Sequence, residues 1–306
     1  MASISEREIG KRVTIRLRDE DGYRDLVGEL ISTTSILNRH GQVVSFDPAG
    51  IYIWKVIEPV PRTAASGAPL SMRVYELERV LNETWRAKTE VEHNGWVLRA
   101  DKGITRRANS ALVLNDQEFI DEVIGWYRER DLSPTIQLVP NLHQALDEKL
   151  TSRGFSDQMD ALVMVKDAAP QSRPSFEFEV SEEPSNKWLA TQNDEAIAEI
   201  LMRSKAKYLS IKDGENYLAV GRVGFSQDWA VLSRIWVEPS LRGTGLGRKI
   251  LSALEYESSA PKIALQVATS NNVAIKLYES VGYIHHHLYR FRALPQKINL
   301  LQDLCC

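Results

Sequence analysis

Residues 236–251 read WVEPSLRGTGLGRKIL and place glycines at 243, 245 and 247 between an apolar run and a segment of helical character. The first amides of a helix have no intrahelical acceptor. Glycine lets successive N–H groups turn into one concavity with no Cβ in a ligand's way, and the helix dipole favours negative charge at that end. Arg242 and Arg248 add positive charge at the two lips of the loop. The stretch therefore reads as a cradle for a pyrophosphate. Two other phosphate loops fit less well. Gly247 is followed by Arg248-Lys249-Ile250, so the hydroxyl that a P-loop offers to magnesium is absent. The spacing is G-x-G-x-G instead of the dinucleotide G-x-G-x-x-G, and the strands expected before it form an antiparallel meander. A flexible turn capping a helix is the plain alternative.

The surrounding chain has 306 residues, 43% hydrophobic and 26% charged, which is enough for two or three domains with buried cores. No apolar run is long enough to cross a bilayer, and the opening MASISEREIG lacks the layout of a secretory signal, so a cytoplasmic protein is expected. The net charge of −3 sets up no global field for polyanions, and nucleic acid is not an expected partner. Cys305 and Cys306, adjacent at the C-terminus, offer neither metal spacing nor a disulfide framework and read as reduced thiols.

Three blocks follow one another. In the first, 1–60, Val13, Ile15 and Leu17 alternate with polar residues, Asp21-Gly22 supplies a turn, and DLVGELIS, VVSF and IYIWKVI follow, divided by HG and DPAG. Several short strands in so short a stretch suggest a small SH3-like β-barrel, read as a packing or docking module. A Pro/Ala/Ser-rich linker spans 59–71, and a second spans 167–175. The middle block, 73–168, alternates helices at YELERVLNETW, DQEFIDEVIGWYRER and LHQALDEKLTSRGF with strands at GWVLRA, ANSALVL, TIQLV and ALVMVK. Leu142, Leu146 and Leu150 share a helix face suited to a core. The last block, 175–306, runs in similar order: FEFEV, a helix DEAIAEILMRS, strands KYLSI, NYLAVGRV and WAVLSRIWV, a helix from Gly245, KIALQV, a helix NVAIKLYESVGY, and HLYRFR. The two blocks read as a diverged repeat. Aligning the turns SRGF and SVGY pairs Gly154 with Gly282, and TIQLV falls opposite KIALQV.

With these residues in view, the last block resembles the GCN5-related N-acetyltransferase (GNAT) superfamily. Arg242-Gly243-Thr244-Gly245-Leu246-Gly247 matches its Arg/Gln-x-x-Gly-x-Gly/Ala signature, after the usual V-x-P at Val237-Glu238-Pro239. NNVAIKLYESVGY is similar to its second segment, with Asn271, Ala274, Tyr278, Gly282 and Tyr283 in register. That resemblance covers about Ser175 to Ala293; more faintly, GWVLRADKGITRRANSALVL and LTSRGF in the middle block are similar to the first half of tandem actinobacterial acetyltransferases with an N-terminal SH3-like domain, a group labelled histone-acetyltransferase-like. The resemblance implies an α/β (α+β) fold of two tandem GNAT-like mixed-sheet domains, the first degenerate, behind a small barrel. It implies an acetyl-CoA-dependent N-acetyltransferase that acetylates a primary amine, on a small molecule or a protein lysine, by direct attack in a ternary complex. Acetyl-CoA as co-substrate would lie where the strand ending at Val237 splays from KIALQV. The amides from Gly243 to Arg248 would take its pyrophosphate, Ile235, Trp236 and Val237 its pantetheine arm and thioester carbonyl, and Asn271 more of the arm. Tyr278 would protonate the departing thiolate, a task suited to a phenol that is neutral at pH 7.

The middle block serves as an internal control. Leu150 stands opposite Tyr278, and NDQEFIDEVIG carries carboxylates where phosphates would sit, so this copy is expected to lack acetyl-CoA and to serve packing or wall the acceptor site. Some relatives carry a carboxylate base where this chain has Gln266; Glu238, Asp228 or a water chain are the substitutes. His285-His286-His287 invites a metal, yet no third ligand is in view, so no metal is expected and a pocket-lining or pH-sensitive role is preferred. A non-catalytic acetyl-CoA sensor is the alternative from another class. Nucleic-acid association through the barrel, with acetylation of bound basic proteins, is a further one.

Overall fold

Val13, Ile15 and Leu17 are all buried, as their alternation requires, and the strand that carries them organises the first of two units, Met1–Arg62 and Thr63–Cys306. The structure is a computed structural model and describes residues 4–19, 22–38, 42–57, 70–115, 117–169, 171–192 and 195–295. Asp21, the His40-Gly41 turn, most of the 59–71 linker and both cysteines lie outside the described residues.

In the first unit, strands β1 (Arg12–Asp19), β2 (Gly22–Ser32), β3 (Ser35–Asn38), β4 (Val43–Ser45) and β5 (Ile51–Val56) form one antiparallel sheet in the order β4-β3-β2-β1-β5. Val13, Ile15, Leu17, Leu30, Ile36 and Phe46 make its core. Gly28 is forced: a Cβ there would stand 2.4 Å from the Leu37 carbonyl oxygen on β3. No pairing joins β4 to β5 among the described residues.

The second unit begins with helix α1 (Leu70–Glu83) and strands β6 (Thr89–His93), β7 (Trp96–Ala100) and β8 (Ala111–Leu112). Helix α2 (Ile120–Arg128), β9 (Thr135–Leu138), helix α3 (Gln144–Ser152) and β10 (Ser156–Asp167) complete the middle block. The last block holds β11 (Glu179–Ser181), helices α4 (Asn186–Ala190) and α5 (Ala198–Met202), β12 (Ala206–Asp213), β13 (Asn216–Ser226) and β14 (Trp229–Val237). Helix α6 (Leu246–Glu257), β15 (Lys262–Ala268), helix α7 (Asn272–Ser280) and β16 (Ile284–Ala293) close the chain. β3, β6 and α4 are additions to the sequence-based elements. β6 reads TEVEH, with too little apolar alternation to announce a strand. ANSALVL shortens to Ala111–Leu112 because 107–109 is a 3-10 turn, in which Asn109 Oδ1 accepts the amides of Asp101 and Gly103.

All eleven strands of this unit join one mixed sheet, ordered β11-β12-β13-β14-β15-β10-β16-β9-β8-β7-β6. The blocks at 73–168 and 175–306 therefore do not close on separate sheets; they exchange their last strands. β10 leaves its own block to pair with β15, and β16 crosses back to pair with β9, while the two exchanged strands run antiparallel beside each other. Helix α1 seals the join: Val74, Leu77, Val80 and Leu81 bury against Val163, Val231, Ala264 and Phe291.

The repeat survives at atomic detail. The Phe155 amide donates to the Leu150 carbonyl at 3.0 Å and the Tyr283 amide to the Tyr278 carbonyl at 3.1 Å. Gly154 (φ +86°) and Gly282 (φ +97°) make the same left-handed helix exit. β8 runs parallel to β9, as β14 does to β15. Both helix-closing turns are the same device, so the alignment that set Leu150 against Tyr278 is geometrically sound.

Candidate active site

β14 and β15 stay in register only from Trp229↔Lys262 to Leu232↔Leu265. Past that point β15 remains paired with β10 as far as Ala268, while β14 follows β13 to Val237↔Ala219. The cause is local. Between Val220↔Trp236 and Arg222↔Ser233 the ladder slips, and Arg234 adopts φ +55°, a bulge that bends β14 away from β15. A wedge opens between the two strands. The Glu238 amide donates to the Leu218 carbonyl on the β13 side at 2.9 Å, so by alternation the peptide groups of Val237 face the wedge. There the Val237 carbonyl takes the Arg242 Nε at 3.3 Å.

The glycine loop lies beyond Val237, after a 3-10 turn at Pro239–Leu241. Gly243 and Gly245 have φ of +82° and +94°, and a Cβ on either would meet nothing within 4 Å. Their glycines answer to backbone conformation, and the space in front of them is open. The amides of Gly243, Gly245, Leu246 and Gly247 meet no backbone acceptor among the described residues. The Arg248 amide donates to the Gly245 carbonyl at 3.1 Å, and that of Thr244 to the Leu241 carbonyl at 3.4 Å, so the open donors are fewer than the full run from 243 to 248. Gly247 has a different reason: a Cβ there would stand 3.1 Å from Leu277 Cδ2, so it lets α6 and α7 approach. The first turn of α6 holds no acidic residue, and the Arg248 guanidinium reaches Ser280 Oγ at 2.9 Å. Asn271 caps α7, its Oδ1 accepting the Ala274 amide at 3.2 Å, which leaves its Nδ2 as the group available to a ligand.

Tyr278 projects from α7 into the core under the wedge, 8% exposed and 5.9 Å from the Tyr283 ring in a T-shaped contact. Burial pushes its phenol up to about 12, so it is neutral at any physiological pH. In the middle block α2 begins with Asp121 and Glu122. Arg153 pairs with Asp121, and Lys149 with Glu118 just ahead of the helix. Acids held by cations at the C-terminal end of α3 stand at the helix start that corresponds to that of α6.

On the α1 side of the sheet the wedge opens into a cavity of about 300 Å³. Leu232, Ser233, Arg234 and Gln266 line it from the splayed strands, with Met159, Tyr289 and Phe291 from β10 and β16. Trp85, Thr105, Arg106 and Arg107 complete the wall from the middle block. The middle block thus contributes four residues to the wall of this cavity. Residues 85 and 105–107 carried a single hint of a site in the sequence, the Arg106-Arg107 doublet.

Two expectations need correction. Asp228 pairs with Lys262 at 2.7 Å at the closed end of the β14–β15 pair, away from the wedge, and that hydrogen bond holds its carboxyl below the ordinary range. It is therefore no substitute base. The three histidines do not share one task or line the cavity. β16 bulges at His286, leaving His285 exposed beside Glu279 at 3.0 Å and His287 buried against Glu78 at 2.8 Å. Among the described residues no three His, Cys, Asp or Glu side chains gather as metal ligands. Glu238 stays near the wedge, half-buried, with Ser240 Oγ 3.5 Å from its carboxylate.

The family described as "Probable histone acetyltransferase Rv0428c C-terminal" matches residues 72–292. The chain belongs to that family. As a member of it, the protein is a GNAT-type N-acetyltransferase, and the match spans both blocks of the eleven-stranded sheet. Among similar proteins, "Probable histone acetyltransferase Rv0428c" of Mycobacterium tuberculosis is 27% identical over 304 residues, 91% of this chain and 93% of that one. "Uncharacterized N-acetyltransferase YobR" of Bacillus subtilis is 25% identical over 243 residues, 72% of this chain and 98% of that one. The fold is similar to that of a GCN5-related N-acetyltransferase from Kribbella flavida, with TM-score 0.57, 13% identity, and coverage of 75% of this chain and 97% of that one. The wedge, the glycine loop and the helix of Tyr278 all lie in the last block, and no helix among the described residues is long and apolar enough to cross a membrane.

Proposed function

We propose that this acetyltransferase uses acetyl-CoA and passes the acetyl group directly to a primary amine held in the same complex. The observation that carries the reading is the wedge past Leu232 and Leu265, with four amides of the glycine loop and the start of α6 that meet no backbone acceptor among the described residues. The open space before Gly243 and Gly245, where a Cβ would meet nothing within 4 Å, supports a diphosphate there. Gly243, Gly245, Leu246 and Gly247 donate amides to it, Thr244 and Arg248 flank it, and Arg242 and Arg248 add charge. The free edge of Ile235, Trp236 and Val237 pairs with the pantetheine arm as an added strand would, and Asn271 Nδ2 donates to the arm.

The chain's groups then act on the thioester in a defined order. The Val237 amide donates to the carbonyl oxygen as it gains charge. The amine lone pair forms the new N–C bond, the C–S bond breaks with its electron pair on sulfur, and Tyr278 gives its phenolic proton to that sulfur. The proton lost by the amine leaves through water in the cavity, because the Gln266 amide cannot accept it, and solvent restores the Tyr278 proton. We read 73–168 as a degenerate GNAT-like copy, 175–306 as the working one, and residues 1–60, from their strand order, as an SH3-like docking module.

Calorimetry with acetyl-CoA and thiol release in the presence of amines test this reading. Saturable binding lost in Gly245→Glu, with amine-dependent thiol release above hydrolysis, is expected. Absence of binding, or binding unchanged in Gly245→Glu, overturns it.

A further inference from the structure

The wall of the cavity is more informative about the acceptor than the family's description is. Arg106 and Arg107 reach it from the turn before β8, and both guanidinium groups rest on aromatic faces: Arg106 lies 5.8 Å from the centre of the Phe291 ring and Arg107 5.1 Å from that of Trp85. The Arg234 guanidinium lies over the same Trp85 ring, 5.7 Å from its centre. These contacts hold both guanidinium groups at the wall; Arg107 shares an N–H with the Tyr289 hydroxyl, and the remaining N–H groups can meet a planar anion. No carboxylate lines the cavity among the described residues, and no ion pair of Arg106 or Arg107 occurs among them.

The remaining polar group points the same way. Gln266 has both its side-chain amide atoms buried and without a hydrogen-bond partner. Such a group is expensive to leave alone and calls for a ligand. Its Nε2 can donate to a carboxylate while its Oε1 accepts from an amine, and as an amide it leaves the arginine charge uncancelled. A carboxylate at 266 would have partly neutralised the wall.

We infer that this cavity selects an acceptor whose amine stands beside a carboxylate, an amino-acid-type anion with an apolar or aromatic portion, and disfavours lysine-rich protein tails. That identity rests on the acetyltransferase reading above for the amine, and on the cavity alone for the anion. Arg106 and Arg107 take the carboxylate, Trp85 and Tyr289 take the apolar part, and Gln266 holds the amine toward the wedge. A polycationic tail would bring like charge to two fixed guanidinium groups. The middle block, which lacks the glycine loop, supplies both arginines, so its retained task is acceptor selection.

The test uses the full chain. Calorimetry with 3-phenylpropionate and with its uncharged amide should show the carboxylate binding at least tenfold more tightly. That preference should vanish in Arg106→Gln/Arg107→Gln, whose acetyl-CoA affinity and thermal midpoint serve as folding controls. Arg106 is exposed, so Arg106→Gln alone carries the test if the double variant is unstable. Thiol release from acetyl-CoA should be faster with L-phenylalanine than with L-phenylalanine amide or a lysine-rich peptide. Equal binding of acid and amide, no binding of the acid at millimolar concentration, an unchanged preference in the variant, or a faster lysine-rich peptide overturns the inference. Carboxylate binding without acetyl-CoA binding would refute the acetyl-CoA-dependent reading while sparing the anion site. Acetyl-CoA binding without carboxylate preference would do the reverse.

Discussion

Arg290 on β16 and Asp160 on β10 are joined by two parallel hydrogen bonds, Nε to Oδ1 and Nη2 to Oδ2, each 2.8 Å long. The two residues face each other across strands that the blocks have exchanged. Asp160 is the main reason that Arg290 titrates above its ordinary range. A bidentate, half-buried pair at this join should stabilise by more than a surface ion pair does. Arg290→Ala should lower the unfolding free energy by about 2 kcal/mol, read as a fall in the urea midpoint with an unchanged slope.

The exchange also predicts how the unit behaves when cut. Residues 63–170 and 171–306, expressed apart, each lack the strand that should cover their last edge. Neither is expected to show native near-ultraviolet dichroism alone, and co-expression should recover a stable complex. A folded, monomeric 171–306 would show that β10 is dispensable.

The glycines of the loop should separate by mechanism. Gly245→Ala places a side chain at φ +94° and should lower stability by about 1 kcal/mol. Gly247→Leu drives a side chain toward Leu277, and overpacking there should lower it by about 1–3 kcal/mol. Thermal melts of the apo protein measure both, and calorimetry should show a larger loss of acetyl-CoA affinity for Gly245→Glu than for Gly247→Leu.

Tyr278 should act as a proton donor across the whole working range. Burial raises its phenol to about 12, so folding favours the neutral form. Its contribution to stability is full below the unfolded value of about 10 and is lost as the pH rises toward about 12. Tyr278→Phe should lower kcat about 100-fold, leave the KM for acetyl-CoA within about twofold, and leave the pH profile below pH 10 unchanged in shape. An unaltered kcat removes Tyr278 from the mechanism.

The local signals were legible. Strand alternation at Val13, Ile15 and Leu17, the helix entry at Gly245 and the paired exits at Gly154 and Gly282 each depend on residues close in sequence, and each is where the sequence puts it. The weak elements were not: β6 has little apolar character, and β8 is two residues long because Asn109 spends its side chain on the turn before it. The role of Gly247 was hidden too, since a glycine that opens a cradle and one that admits Leu277 look alike in one dimension.

By itself the sequence determined the family, the similar element order of the two blocks, the glycine loop that enters α6 and the acidic start of α2. These follow from motif spacing, backbone preference and charge, all of which act over a few neighbouring residues. Only the tertiary structure decided that β10 and β16 change places, that Asp228 lies at the wrong end of β14, and that Arg106 and Arg107 meet Gln266 across one cavity. The physical reason is that strand pairing and charge convergence depend on distances in space between residues far apart along the chain.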